Sequence, residues 1–334
     1  MRAGDNPQRG NEITENLYSH NIIVPVYIPD TGDYYKDGFR IFKLCLESLF
    51  KTTHSKTFIT VVNNGSCTQV IEYLDALLQQ KKIHELTHTV NIGKVNAIIK
   101  ALAGNNIELV TITDADIMFL DNWQVETQKV FSAYPKVGVV GLIPQFRTYK
   151  AHCGNMIFDT LFSRKVKFIP VKNPTAMARF YESIGWDTNY NHDYLKYALG
   201  LRSKEVTVYA GSGHAVATYK KNMFEEIKSY SGFKLGGNSM RYLDQIPMER
   251  GYWRVTTYEN YAHHMGNVFE EWMDNIEYTM ESEHISANFK KQQKVASWVW
   301  YLKNKIFLKV LSIPWVTKLL LRLKGLPKEM ISQY

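Results

Sequence analysis

The sequence predicts an α/β fold, a doubly wound and mostly parallel sheet with a helical appendage at its carboxyl end. Three observations carry that expectation. Short β-branched runs alternate with stretches of helical period from residue 22 to about residue 143. One of these runs ends directly in two carboxylates, Asp114 and Asp116, at the edge where such sheets collect ligands. The closing segment then changes character, mixing aromatic and aliphatic residues with basic charge alone.

The elements follow in order. Residues 22–28, IIVPVYI, read as a buried first strand, and Phe39, Phe42, Leu46, Leu49 and Phe50 recur at helical spacing after it. TFITVVN (57–63) reads as a second strand stopped by Asn64-Gly65-Ser66, and TQVIEYLDALLQQ as a second helix. ELTHTV is a weaker strand, KVNAIIKALA a helix, IELVTIT (107–113) a strong strand, and VGVVGLI another. Strands and helices alternating at this spacing imply crossover connections. From about Gln145 to Tyr209 the pattern becomes irregular, which marks 145–209 as an acceptor-side insertion. HAVATYKKNMFEEI then reads as a strand leading into a helix, a loop with Gly232, Gly236 and Gly237 follows, and WRVTTYENYAHH is a further strand. The expected organisation is a polar lead-in over 1–20, a catalytic domain over 21–270 and a basic amphipathic helical region over 271–334.

With 45% hydrophobic and 13% aromatic residues in 334, the chain has ample material for a packed core, which excludes disorder of the whole. Cys45, Cys67 and Cys153 form neither a disulfide framework nor a metal knuckle by number or spacing, so a reducing, cytoplasmic compartment is expected. The formal charge of +8 is local. Between His284 and Lys328 there is no Asp or Glu against ten Lys and Arg, while elsewhere 30 basic residues face 32 acidic ones. The basicity therefore belongs to the tail, and no nucleic-acid partner is expected of the catalytic body.

In Thr113-Asp114-Ala115-Asp116 two carboxylates one residue apart leave the sheet together. Their oxygens suit a hard divalent cation that bridges a diphosphate, although an acidic pair after a strand also fits a solvated turn or a helix cap. Lys94 stands at a helix start, where its ammonium and the free backbone N–H groups meet phosphate, or where it is simply solvated. His263 and His264 end a strand, and a neutral imidazole there completes a metal shell with Asp116 or makes an ordinary hydrogen bond.

The order of these pieces resembles the GT-A glycosyltransferases, most closely the large inverting family 2. Val24-Pro25-Val26-Tyr27 resembles the family's opening strand, and Val62-Asn63-Asn64-Gly65-Ser66 its nucleoside turn. Asn91-Ile92-Gly93, with Lys94 and Asn96 at the helix start, precedes the Asp-x-Asp at 114–116. Gly211-Ser212-Gly213-His214-Ala215, Lys220-Lys221-Asn222-Met223-Phe224 and Tyr242-Leu243-Asp244 follow, then Arg250 to Val255 and His263-His264-Met265-Gly266. The resemblance covers about residues 20–267. It implies a nucleoside diphosphate sugar donor, a UDP-sugar favoured, held by Pro25, Tyr27, Asn63, Asn64, Asn91, Gly93, Lys94, Asp114 and Ala115. It also implies Mn²⁺ or Mg²⁺ on Asp116 and His264, with Asp114 and His263 as further candidates, since the spacing before Gly266 favours His264. Asp244 is then the general base of an inverting displacement, taking the proton of the attacking acceptor hydroxyl. Asp193 is its rival, because Gly185-Trp186-Asp187 upstream mimics a sequence that often precedes the base. Two departures stand out: the nucleoside turn carries the amides Asn63 and Asn64 where acids are usual, and Leu243-Asp244 replaces an acidic pair. The implied acceptor is a glycan or lipid-linked glycan, in bacterial surface polysaccharide synthesis.

Residues 289–325 combine Trp298, Trp300 and Trp315 with many aliphatic and basic residues. Lys291, Lys294, Lys305 and Lys309 fall close together at 100° per residue, Val295, Leu302, Ile306 and Ile313 cluster on an adjacent face, and Pro314 breaks the helix. No apolar run is long enough to span a bilayer without Lys or Arg. An anionic membrane surface is the expected partner, placing the enzyme peripherally on the inner face of the cell membrane. Packing of these helices on the enzyme or on another subunit, as an oligomer, is the other reading. Three further functions stay open: a retaining transferase of the same fold, a nucleotidyltransferase, and a nucleic-acid-binding protein led by the tail. Against the second, the place for a glycine-rich basic triphosphate loop holds Pro29-Asp30-Thr31-Gly32-Asp33.

Overall fold

The computed structural model describes residues 4–6, 9–10, 17–226, 230–235, 241–279, 295–332 and 334. Much of the lead-in, Gly236, Gly237, Lys290, Lys291 and Lys294 lie outside the described residues.

The first half of the chain builds a parallel sheet. Strand β1 (His20–Val26), helix α1 (Gly38–Thr52), β2 (Thr57–Asn63), α2 (Thr68–Gln79), β3 (Glu85–His88), α3 (Lys94–Leu102) and β4 (Leu109–Thr113) follow in order. β1 lies between β2 and β4, and β3 pairs on the outer side of β2, all parallel. The apolar period of α1 explains its place: Ile41, Phe42, Cys45, Leu46 and Leu49 form one buried stripe. Ile22, Ile23 and Val24 are fully buried, as expected of a strand covered on both faces.

The second half continues with β5 (Ile117–Phe119), α4 (Trp123–Ala133), β6 (Val137–Gly141), α5 (Gly154–Asp159), β7 (Val166–Pro170), α6 (Pro174–Ser183), β8 (Tyr197–Arg202) and β9 (Thr207–Ala210). Then come β10 (Val216–Lys220), α7 (Arg241–Glu249), β11 (Trp253–Thr257) and β12 (Ala262–His264). The main sheet runs β3-β2-β1-β4-β10-β6-β11-β9-β8-β7. β10 is antiparallel to both β4 and β6, and β9 and β7 are likewise reversed, so the sheet is mixed with most strands running one way. Local alternation predicts parallel crossovers but carries no information about β10, whose partner β4 lies about a hundred residues earlier.

Three other details differ from the sequence reading. Residues 145–209 are not irregular throughout, because β7, β8 and β9 extend the main sheet as four- to six-residue strands between turn formers. The helix expected after β10 is a 3-10 turn at Lys221–Phe224 over the part described. The single strand expected over 253–264 is two, and β12 leaves the main sheet to pair antiparallel with β5.

The tail forms α8 (Ser297–Tyr301), a π-helical turn at Leu302–Ile306, α9 (Phe307–Leu311) and α10 (Pro314–Leu323), with Pro314 opening α10 where the break was expected. Its inner side belongs to a core: Leu320, Leu321, Leu326, Met330 and Ile331 are buried with Tyr149, Met156 and Phe168. Among the described residues no helix is long and apolar enough to cross a membrane.

Candidate functional site

The carboxyl ends of β1, β2 and β4 open on a cavity of about 340 Å³. Of the residues put forward from sequence, Pro25, Tyr27, Asn64, Asn91, Lys94, Asp114, Ala115 and Asp116 line it. Asn63 and Gly93 do not line it and act one step back. The Asn63 Oδ1 accepts from the Ser66 N–H at 2.9 Å and its amide nitrogen lies 2.9 Å from His88 Nδ1, so it shapes the turn. The Asn64 Oδ1 accepts from the Ile92 N–H at 2.9 Å, and its Nδ2 donates to Asn91 Oδ1 at 3.4 Å. These amides tie the two loops together by donating and accepting at once, which a carboxylate cannot do. Gly93 is required by geometry: its φ is +90°, and a Cβ there would lie 2.6 Å from the Phe233 carbonyl oxygen.

Asp114 is anchored by its N–H to the Ala215 carbonyl at 2.8 Å, and its carboxylate pairs with the Lys94 ammonium. Lys94 is therefore neither merely solvated nor held only by the helix start. Asp116 projects toward β12. Pairing of β12 with β5 sets His264 opposite Ile117, and successive residues of a strand face opposite ways, so His264 and His263 part company. The His264 Nε2 is 3.5 Å from Asp116 Oδ2, and its Nδ1 is held 3.1 Å from Ser183 Oγ. His263 turns instead to Trp272 and Asn260, and burial, with Arg179 adding to it, pushes it down to about 4. The spacing before Gly266 favoured His264, and of the two histidines it is His264 that lies beside Asp116.

Asp114, Asp116 and His264 each offer one ligand atom, all within 4.8 Å of one another. Asp116 Oδ1 is buried without a hydrogen-bond partner. Burial holds this carboxyl above its ordinary range, Asp114 adds to the effect, and His264 and Lys94 oppose it. A buried, unpaired carboxylate oxygen beside a second carboxylate and an oriented imidazole fits a divalent cation.

Asp244 lies on α7, buried, 2.8 Å from Nη2 of the fully buried Arg254. His214 Nδ1 and His152 Nε2 flank it at 3.8 and 3.9 Å, with His152 in a left-handed conformation, φ +53°. The Arg254 guanidinium also donates to the Ser212 carbonyl at 3.0 Å, joining α7 to the glycine turn. Asp244 does not line the cavity, and residues 236–240 that lead into it lie outside the described residues. Burial raises the fully buried Tyr219 hydroxyl, Arg254 opposes that rise, and Asp244 and Asp114 add to it. Asp193 is elsewhere, paired with Lys196 at 2.7 Å, its carbonyl accepting from the Tyr334 hydroxyl.

Sequence reasoning missed several participants. Tyr34, Tyr35, Lys234, Leu235 and Asn267 complete the cavity wall, and Ser183 sets the His264 ring. None follows a motif; they come from loops and from α6 in the irregular stretch. Arg254 and Asp244 both stood inside quoted motifs, but their pairing was not legible.

Residues 37–197 match the family model described as Glycosyl transferase family 2. No curated protein matches the sequence. Among solved structures, similarity is found to the mannosyltransferase PcManGT from Pyrobaculum calidifontis in complex with GDP-Man and Mn²⁺, with 17% identity, a TM-score of 0.41, and 71% of this chain and 54% of that chain covered. TarS 1–349 from S. aureus in complex with UDP-GlcNAc is similar over 94% of this chain and 69% of its own, with 12% identity and a TM-score of 0.42. GalNAc-T7 with UDP, GalNAc and Mn²⁺ matches with 10% identity and a TM-score of 0.48, over 75% of this chain and 44% of that one. The chain thus spans only about half the length of two of these relatives.

Proposed function

We propose that this chain, a glycosyltransferase by its family 2 segment, moves a sugar from a nucleoside diphosphate donor to a glycan or lipid-linked glycan acceptor by inverting displacement, with a UDP-sugar favoured. The observation that supports the reading is the cluster of Asp114, Asp116 and His264, whose two carboxylates line the cavity, with its buried, unpaired oxygen. In this reading Pro25, Tyr27, Asn64 and Asn91 receive the nucleoside. Lys94 and Asp114 stand beside the diphosphate and the sugar. Asp116 and His264 hold Mn²⁺ or Mg²⁺, which when bound neutralises charge on the departing diphosphate. Asp244 takes the proton of the acceptor hydroxyl as that oxygen bonds to the anomeric carbon and the carbon–diphosphate bond breaks. Arg254, 2.8 Å from the Asp244 carboxylate, orients it for that task. The acceptor enters on the side of residues 145–209, and its use is the synthesis of bacterial surface polysaccharide.

The test is a panel of sugar nucleotides incubated with the full chain and Mn²⁺, scored by released nucleotide and by NMR of the product anomer. Asp116→Ala is expected to abolish the metal-dependent reaction. Asp244→Asn is expected to lower kcat by about two to four orders of magnitude, typical of a lost general base, with donor affinity kept. Retention of the anomeric configuration would overturn the inverting assignment, and full activity in Asp116→Ala would overturn the metal site.

A further inference from the structure

The C-terminal helices have two unlike sides. The inner side is bound to the enzyme body: Lys303 pairs with Asp159, and the buried Asn304 donates to Asn155 Oδ1 at 2.6 Å. Buried Lys324 donates to the carbonyls of Thr160, Leu161 and Ser163. Two of the tail's basic residues are thus structural.

On the outer side, Trp298, the neighbours Tyr301 and Leu302, then Ile306, Val310 and Ile313 follow at three- or four-residue steps, and all are exposed. Lys305 and Lys309 lie in the same row, also exposed. In α10, exposed Trp315, Leu319 and Leu323 alternate with exposed Lys318 and Arg322. Trp298 is 72% exposed, Trp315 and Leu323 67% each, so these apolar side chains are left in water. A turn distant in sequence lies beside the end of α10. Lys324 fixes the 160–163 turn, on which Phe162 is 95% exposed, with exposed Arg164 and Lys165 just beyond.

We infer that this surface, the outer face of α8–α10 together with Phe162, lies flat in the headgroup region of an anionic lipid bilayer. The tryptophan and aliphatic side chains enter the acyl boundary while the exposed lysines and arginines meet lipid phosphates. Charge selects this occupant. A second copy of the chain, packed through the same face, would set Lys305, Lys309, Lys318 and Arg322 against their own counterparts, and no acid lies between residues 295 and 328 to neutralise them. A nucleic acid would engage the basic residues but leave the aliphatic row in water. The inference deepens the reading of a lipid-linked acceptor, yet the docking needs no sugar chemistry, so the two fail in separate assays.

The test is co-sedimentation of the full chain with vesicles of phosphatidylcholine alone or with about 30% phosphatidylglycerol, an anionic content at which basic residues near the surface contribute. The chain is expected to bind the anionic vesicles, and added salt is expected to weaken binding by screening. Lys305→Gln with Lys309→Gln should lower partitioning roughly thirtyfold, about fivefold per basic side chain. Trp298→Ala with Trp315→Ala should lower it as well, while donor turnover in solution and thermal unfolding stay as in the parent, since these side chains are mostly exposed. Failure of the parent to bind anionic vesicles, or undiminished binding by both double variants, would overturn the inference. So would a dimer that the same substitutions dissociate, or an RNA affinity that exceeds vesicle affinity.

Discussion

His264 can face Asp116 because Ser183 takes the other nitrogen of its ring. An imidazole fixed in this way offers its lone pair at one place, and removal of such an orienting partner commonly weakens metal binding by 10–100-fold. Ser183→Ala is therefore expected to weaken Mn²⁺ affinity by about tenfold, and His264→Gln by more, as read by isothermal titration. Unchanged affinity in both would remove His264 from the metal shell. Gly93 makes a different kind of prediction. Gly93→Ala places a Cβ against the Phe233 carbonyl in a left-handed backbone, and the strain is expected to cost about 1–3 kcal/mol in chemical denaturation. The acidic pair of the candidate metal site was legible in sequence through its place in an ordered series of motifs, since two carboxylates after a strand also fit a turn or a cap. Ser183 was not, because a serine 81 residues from its histidine has no local signature. Asn63 was read as a contact residue but serves the turn, since its side chain is spent on Ser66 and His88.

Strand β1 also has a polar underside. The fully buried His20 has Nε2 2.6 Å from Thr111 Oγ1 and Nδ1 2.9 Å from the Gln124 amide. Burial, with His54 adding to it, pushes His20 down to about 3, so the folded protein keeps it neutral. The unfolded chain takes up a proton near the ordinary value of 6.5, so the stabilising effect is complete above that pH and is lost as pH falls from there toward 3. The slope from one such group is about 1.4 kcal/mol per pH unit. Stability measured by denaturant at stepped pH is expected to decline over this window, and His20→Gln should flatten the decline. The strands and helices of the first half were legible because each carries its own period, as TFITVVN does in β2. The direction of β10 and the end of β11 before β12 were not legible because long-range pairing decides both.

At the scale of the molecule, the tail is part of the body. Leu320 and Leu321 are buried in the core beneath β7, β8 and β9, so the basic segment contributes to folding as well as to its outer face. Leu321→Ala is expected to cost about 2–5 kcal/mol, the usual range for a buried leucine, and deletion of α10 to give unfolded protein. Sequence suggested an amphipathic basic segment correctly in outline, but which lysines hold the body and which face outward required the positions of Asp159 and the 160–163 carbonyls. The same scale decides the central claim, that the cavity at the ends of β1, β2 and β4 takes a sugar nucleotide through a cation on Asp116 and His264. The most direct measurement is thermal unfolding titrated with UDP-sugars, in Mn²⁺ and in chelator, for the parent chain and Asp116→Ala. A ligand that binds only the folded state must raise its stability, by about 2.7 kcal/mol at a hundredfold excess over Kd. The account predicts stabilisation in the parent with Mn²⁺ and its loss in chelator and in Asp116→Ala; stabilisation of equal size in all three conditions would contradict it.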